Sequence, residues 1–171
     1  NFYKKQGAII YLVDKENSQF ILKSIGLKNI QNEPKTIRSF SGAFERFTVV
    51  ECGLRIVYTE NIAQEKKIKS YSIDSRDDRV VGDSTHWGYW GNNWFDDLIA
   101  SIRLNSEGIY TLDITDLNGD LRTTISTTIL EGDVIWPLWI TSEYLVISQK
   151  AAESSGVVIE IINVKTGSRS I

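Results

Sequence analysis

The densest concentration of chemically capable side chains is Thr85-His86-Trp87-Gly88-Tyr89-Trp90-Gly91-Asn92-Asn93-Trp94-Phe95-Asp96-Asp97. It holds three of the five tryptophans and the only histidine. Aromatic faces beside amides and carboxylates suit stacking on a sugar or gripping a peptide, because one part of the surface is apolar and its rim is polar. The residues that would form such a platform are His86, Trp87, Tyr89, Trp90, Asn92, Asn93, Trp94 and Asp96. The competing reading makes Trp87 and Trp90 core residues and lays Trp94 over a turn.

Catalytic readings of the same residues lack partners. His86 as a general base, oriented by Asp83 or Asp96, has no nucleophile in a recognisable setting: no Gly-x-Ser-x-Gly occurs, and Ser84 is merely close in sequence. Cys52 would need an activating base to act as a thiolate and is expected to be an inert small residue. In the acidic run Asp113 to Asp120, placing Asn118-Gly119 at the fifth and sixth positions of a calcium loop puts Ile114 and Ile125 where acids are required. The adjacent pairs Asp77-Asp78 and Asp96-Asp97 would point to opposite faces of a strand. No enzyme activity, metal or cofactor is expected.

Bulk properties narrow the partners. The 171 residues carry a formal charge of -3, with 42% hydrophobic and 24% charged residues, as in an ordinary globular domain. The only basic cluster, Glu65-Lys66-Lys67-Ile68-Lys69, reads as the solvated start of a strand, so no nucleic-acid partner is expected. The longest apolar run, Val157 to Ile162, is strand-sized and too short to span a bilayer as a helix. A single cysteine rules out an intrachain disulfide, and with one histidine it also rules out a zinc site built from Cys and His.

The elements that must position these residues recur. An aromatic leads into a turn, an apolar run follows, and a second apolar run closes on Asp or Asn. The copies read Phe47, Leu54 to Tyr58, Tyr71 to Asp74; Trp90, Leu98 to Ala100, Ile109 to Asp113; and Trp139, Leu145 to Ile147, Val158 to Asn163. The leading aromatics are 43 and 49 residues apart, close to the roughly 40–50-residue period of propeller blades. Strand-forming Ile, Val, Tyr, Thr and Trp crowd into short runs bounded by Gly, Asn, Asp and Ser, with no amphipathic helix. The predicted fold is all-β: β-propeller blades of four antiparallel strands, about three and a half of them, belonging to a larger ring.

The copies set boundaries of 44–85, 86–130 and 131–171. Residues 1–43 read as the outer two strands of a partial blade followed by a polar connector from residue 26. Residues 60–69 read as a loop, and Asn118-Gly119 as a tight turn with two positive-φ residues. Outer strands are expected at Arg79 to Val81, Leu121 to Thr128 and Ser168 to Ile171.

The runs Phe47 to Tyr58, Asn163-Val164-Lys165-Thr166-Gly167 and Trp136-Pro137-Leu138-Trp139 resemble the blades of TolB-type propellers, also found as N-terminal domains of prolyl-oligopeptidase-like enzymes. The resemblance covers residues 44–171 but no copy has the family's full Ser-Pro-Asp-Gly. It implies binding surfaces at the mouth of a central channel, a periplasmic or secreted setting, and no transferred catalytic residue. The function expected is a non-catalytic scaffold recognising a protein or peptide. The alternatives are the propeller portion of a prolyl-oligopeptidase-type hydrolase and a carbohydrate-binding propeller. Open blades also call for a further propeller segment, or a copy of the chain, to complete the ring.

Overall fold

A computed structural model describes residues 2–3, 8–15, 19–26, 28, 31–40, 44–50, 55–62, 65–84, 90–92, 97–130, 134–150 and 157–171. They form sixteen strands in four antiparallel sheets, each taken in chain order. Blade 1 is β1 (Phe2–Tyr3), β2 (Ala8–Lys15), β3 (Gln19–Gly26) and β4 (Lys35–Phe40). Blade 2 is β5 (Phe44–Val50), β6 (Arg55–Ile62), β7 (Glu65–Ser72) and β8 (Asp78–Ser84). Blade 3 is β9 (Trp90–Asn92), β10 (Leu98–Leu104), β11 (Ile109–Asp116) and β12 (Leu121–Leu130). Blade 4 is β13 (Val134–Trp139), β14 (Tyr144–Lys150), β15 (Val157–Asn163) and β16 (Arg169–Ser170).

The expected outer strands are the fourth strands β8, β12 and β16, and the leading aromatics Phe47, Trp90 and Trp139 fall on the first strands β5, β9 and β13. The amino-terminal assignment needs correction. Ala8–Lys15 is a second strand rather than a third, preceded by the two-residue β1, and the stretch read as a connector supplies β4, paired through Phe20↔Phe40 and Leu22↔Arg38. The polarity of Lys35-Thr36-Ile37-Arg38-Ser39 hid it, because a fourth strand needs few apolar residues. Likewise, the stretch 60–69 continues β6 and opens β7, with Ile62 paired to Glu65.

Register places the blades in correspondence. The pairs Arg55↔Ser72, Leu98↔Asp116 and Tyr144↔Asn163 each sit at the open end of the hairpin made by the second and third strands, away from the loop that joins them. The next second-strand residues, Ile56, Ile99 and Leu145, are therefore equivalent, 43 and 46 residues apart. All three are fully buried and face the preceding blade. Their neighbours Val57 and Ala100 are also fully buried but point the other way, toward the following blade. This is why the second strands read as continuous apolar runs: a strand between two packed faces has no solvent side.

The third strands close in a shared turn. Ser72, Asp116 and Asn163 each accept a backbone N–H from within the turn through a side-chain oxygen: Ser75 on Ser72, Asn118 and Asp120 on Asp116, Lys165 and Thr166 on Asn163. The turn-forming residue is thus Ser72 or Asp116, rather than the expected Asp74 or Asp113. Each turn needs one left-handed residue, supplied by Arg76 (φ 60), Gly119 (φ 92) and Gly167 (φ 73). Asn118 is not left-handed, so the Asn118-Gly119 turn uses one positive φ instead of two, as longer hairpin loops do. Gly119 is doubly constrained, since an added Cβ would lie 2.5 Å from the Val80 carbonyl oxygen of the neighbouring blade.

Between blades 1 and 2 the seam is partly ionic. The Arg38 guanidinium donates to Asp78 at 2.6 Å and lies over the rings of Phe40, Tyr58 and Tyr71, 4.6 to 5.6 Å from their centroids. The Tyr58 hydroxyl donates to the same carboxylate at 2.9 Å. Lys69 pairs with Glu60 at 2.6 Å and stands 3.8 Å from Asp78. Burial pushes the Tyr58 phenol well above its ordinary pKa; Arg38 opposes the shift and Asp78 adds to it. The cation is held by one carboxylate and three aromatic faces, an arrangement that stabilises a charge away from bulk water.

Four outcomes test this fold. Gly119→Ala should destabilise the chain by about 3 kcal/mol, combining left-handed strain with the clash at Val80. Arg76→Gly should instead stabilise it by about 1 kcal/mol, raising Tm by roughly 2–4 °C; urea and thermal unfolding read both. In the seam, Arg38→Ala should cost about 2 kcal/mol by removing the main partner of Asp78, and more than Tyr58→Phe under the same unfolding assay. The fourth outcome concerns Asp116. Burial acts to raise its pKa, but the Asp120 and Asn118 amides and Arg122 outweigh it and leave the value lowered. A depressed folded pKa means stability that is present above about pH 4 and lost as pH falls through the folded value. Asp116→Asn should flatten the loss of Tm below about pH 4.

Candidate interaction site

The first strands β9 and β13 of adjacent blades lie against each other, while the fourth strand β8 packs across β10 and β11 of the next blade. The first strands therefore sit at the inner end of each sheet and the fourth strands at the outer end. Of the platform residues read from sequence, Trp90 and Asn92 fall on β9, paired with Ser101 and Ile99. His86, Trp87, Tyr89, Asn93, Trp94 and Asp96 lie outside the described residues, as does Cys52. Asp97, the residue before β10, is left-handed at φ 53, a conformation Asp tolerates better than most residues.

Four of the carboxylates considered for chemistry, Asp77, Asp78, Asp113 and Asp116, are committed to the fold. Asp77 accepts from Arg79 at 2.5 Å and Asp78 from Arg38 and Tyr58, so the adjacent pair does point opposite ways. Asp113 accepts from Arg103 at 2.7 Å and from the Thr124 hydroxyl at 2.7 Å. Asp116 serves the turn and pairs with Arg122 at 2.6 Å. Among the described residues no group of three His, Cys, Asp or Glu side chains could hold a metal ion. No helix among them is long and apolar enough to cross a membrane.

A groove of about 290 Å³ opens between blades 2 and 3, lined in part by Gly82, Ser101, Arg103, Asp113 and Thr115. The Arg103–Asp113 pair lies along it, and the Thr115 hydroxyl donates to the Val81 carbonyl at 2.6 Å. An added Cβ on Gly82 would come within 3.0 Å of the Ser101 hydroxyl, so the groove is a seam where β8 approaches β10 closely. Its polar groups bond to one another, and it offers no constellation for catalysis.

Two features escaped the sequence reading. The cluster Arg38, Tyr58 and Asp78 joins residues up to 40 positions apart, and its strongest member lay in a supposed connector. The other is an apolar side of blade 4, where Leu138, Val157, Ile159 and Ile161 are exposed at 65, 62, 55 and 39%. The sequence did carry a signal for it: apolar residues at both parities of β15.

Neither a family model nor a curated protein sequence matches this chain. Solved structures do. An oligogalacturonate lyase in complex with manganese superposes with a TM-score of 0.72 at 11% identity, over 99% of this chain and 50% of that one. The β-propeller domain of the Trilobed protease from Pyrococcus furiosus gives 0.67 at 10% identity, over 98% and 54%. TolB from Acinetobacter baumannii gives 0.65 at 13% identity, over 95% and 40%. This chain thus spans about half the length, or less, of the structures it matches. At such identities the likeness is one of fold, and the fold is that of TolB-type and peptidase-type β-propellers.

Proposed function

We propose that the chain is a non-catalytic propeller module that binds a protein or peptide partner through the segment around β9. The contact residues are His86, Trp87, Tyr89, Trp90, Asn92, Asn93, Trp94 and Asp96. The observation that carries the reading is the position of β9 at the inner end of blade 3, beside β13, with Trp90 on it and Trp87 and Trp94 in the flanking sequence. Inner ends of blades surround the central channel of a propeller. Rigid aromatic side chains there contribute large contact area at small cost in conformational entropy, and Asn and Asp beside them fix a peptide backbone by hydrogen bonds.

A second reading makes the module the propeller portion of a prolyl-oligopeptidase-type hydrolase, controlling access to a catalytic domain. Its support is the likeness to the propeller of the Trilobed protease. Both readings place peptide recognition at the inner ends. They differ in whether a hydrolase domain shares the polypeptide.

Tryptophan fluorescence titration separates peptide recognition from sugar recognition. The probes are a panel of unstructured peptides of mixed sequence and a panel of soluble oligosaccharides. The expected result is a saturable change with peptides, weakened about tenfold or more by Trp94→Ala or Tyr89→Ala, with thermal stability retained. Saturation by oligosaccharides alone would favour a carbohydrate-binding propeller instead, and no response to either panel would remove the aromatic segment as the site.

A further inference from the structure

The guanidinium of Arg38 sits in a receptor built mostly by the neighbouring blade. Tyr58, Tyr71 and Asp78 come from β6, β7 and β8 of blade 2, and Phe40 from β4, two residues along from Arg38. Tyr71 gives the nearest ring, with its centroid 4.6 Å from the guanidinium carbon, followed by Phe40 at 5.1 Å and Tyr58 at 5.6 Å. All three residues are at most 6% exposed, so the walls are dry. Phe40 and Tyr58 also meet edge to face at 4.9 Å, a favourable ring contact in its own right. The Tyr58 hydroxyl reaches both oxygens of Asp78, at 2.9 and 3.1 Å, and so orients the carboxylate that accepts from Arg38.

Blade packing alone does not call for these rings. Register puts Ser101 and Thr115 of blade 3, and Ile147 and Ile162 of blade 4, at the positions of Tyr58 and Tyr71. What the rings add is selectivity for one kind of cation. A planar, weakly hydrated guanidinium stacks on aromatic faces while its in-plane N–H groups donate to a carboxylate, whereas an ammonium is a compact, strongly hydrated charge. Lys69, the other cation near Asp78, stands 3.8 Å off and pairs instead with Glu60 at 2.6 Å. Site and occupant are also separable, since Arg38 arrives on a different blade from the two tyrosines and the carboxylate. The Arg38 and Asp78 side chains are each 23% exposed, so the cleft is open to water at its rim.

We propose that the seam between blades 1 and 2 is a binding site for alkylguanidinium cations, the chemistry of an arginine side chain, occupied in the resting molecule by Arg38 as an internal ligand. Arg38 is delivered by a strand already paired in blade 1, so its effective concentration exceeds the roughly millimolar value of a short flexible tether. A free guanidinium at millimolar concentration therefore does not displace it. Truncating Arg38 vacates a cleft with aromatic walls and an acidic rim, and the selectivity of the site then becomes measurable. The proposal is independent of the peptide-binding reading, because none of its residues lies on blade 3.

Chemical rescue of Arg38→Ala in the intact chain tests this. Ethylguanidinium replaces the atoms removed beyond Cβ, and thermal unfolding is followed with its chloride up to about 50 mM, against ethylammonium chloride and sodium chloride at equal concentrations. Ethylguanidinium should raise the Tm of Arg38→Ala saturably and recover about half or more of what the substitution removed, while ethylammonium recovers much less. Neither the unmodified chain nor Arg38→Ala combined with Asp78→Asn should respond. If Arg38→Ala is unfolded at room temperature, far-ultraviolet circular dichroism reads its refolding by the same cation. Equal effects of ethylguanidinium and ethylammonium, or the same rise in the Asp78→Asn combination, would overturn the proposal and leave Arg38 a packing residue of the seam. Absence of any saturable rise or refolding would overturn it as well.

Discussion

Blades 2 and 3 are stable because both of their faces are dry. The second strands cannot arrange a solvent side: Ile56 and Val57, or Ile99 and Ala100, are successive residues that point to opposite faces and are all fully buried. One four-stranded sheet could never satisfy them. Each blade therefore requires a neighbour on either side, and the fold is a consequence of that two-sided burial rather than of any single contact. The turns follow the same constraint, as Gly119 lacks a side chain where blade 3 touches Val80 of blade 2.

The seams are not chemically alike. Between blades 3 and 4 the contact is mainly apolar, with Ile102, Leu112, Leu145 and Ile147 at its centre and Tyr110 and Trp139 beside them. Between blades 1 and 2 aliphatic packing is joined by a guanidinium held among aromatic rings and a carboxylate. The ionic seam demands a particular geometry, because a displaced Arg38 would leave Asp78 facing Tyr58 without its main partner. Such a contact specifies which blade sits beside which, a task that interchangeable aliphatic surfaces do poorly.

Much of this was legible in the sequence, and the parts that were not have physical causes. Apolar runs such as Leu54 to Tyr58 and Leu145 to Ile147 announced second strands, because burial on both sides leaves no polar alternation to confuse them. The Asn118-Gly119 turn was plain because glycine marks a left-handed position. Its counterpart at Arg76 was invisible, since an arginine occupies the same conformation. β4 was missed because an outer strand is polar, and the Asp113 repeat was misplaced by three residues because an acid inside a strand, paired with Arg103, looks like one that closes it. For the site, the aromatic segment was readable as composition and β9 as its inner strand. The apolar side of blade 4 emerged only from register.

If two-sided burial couples the blades, they must open together. Native-state hydrogen exchange of β6 and β10 amides across a urea series measures this directly. The account predicts that the amides of residues 56–59 and 99–102 converge on one common unfolding free energy and one slope. Separate limiting free energies for the two strands, with blade 2 opening while blade 3 stays protected, would contradict it.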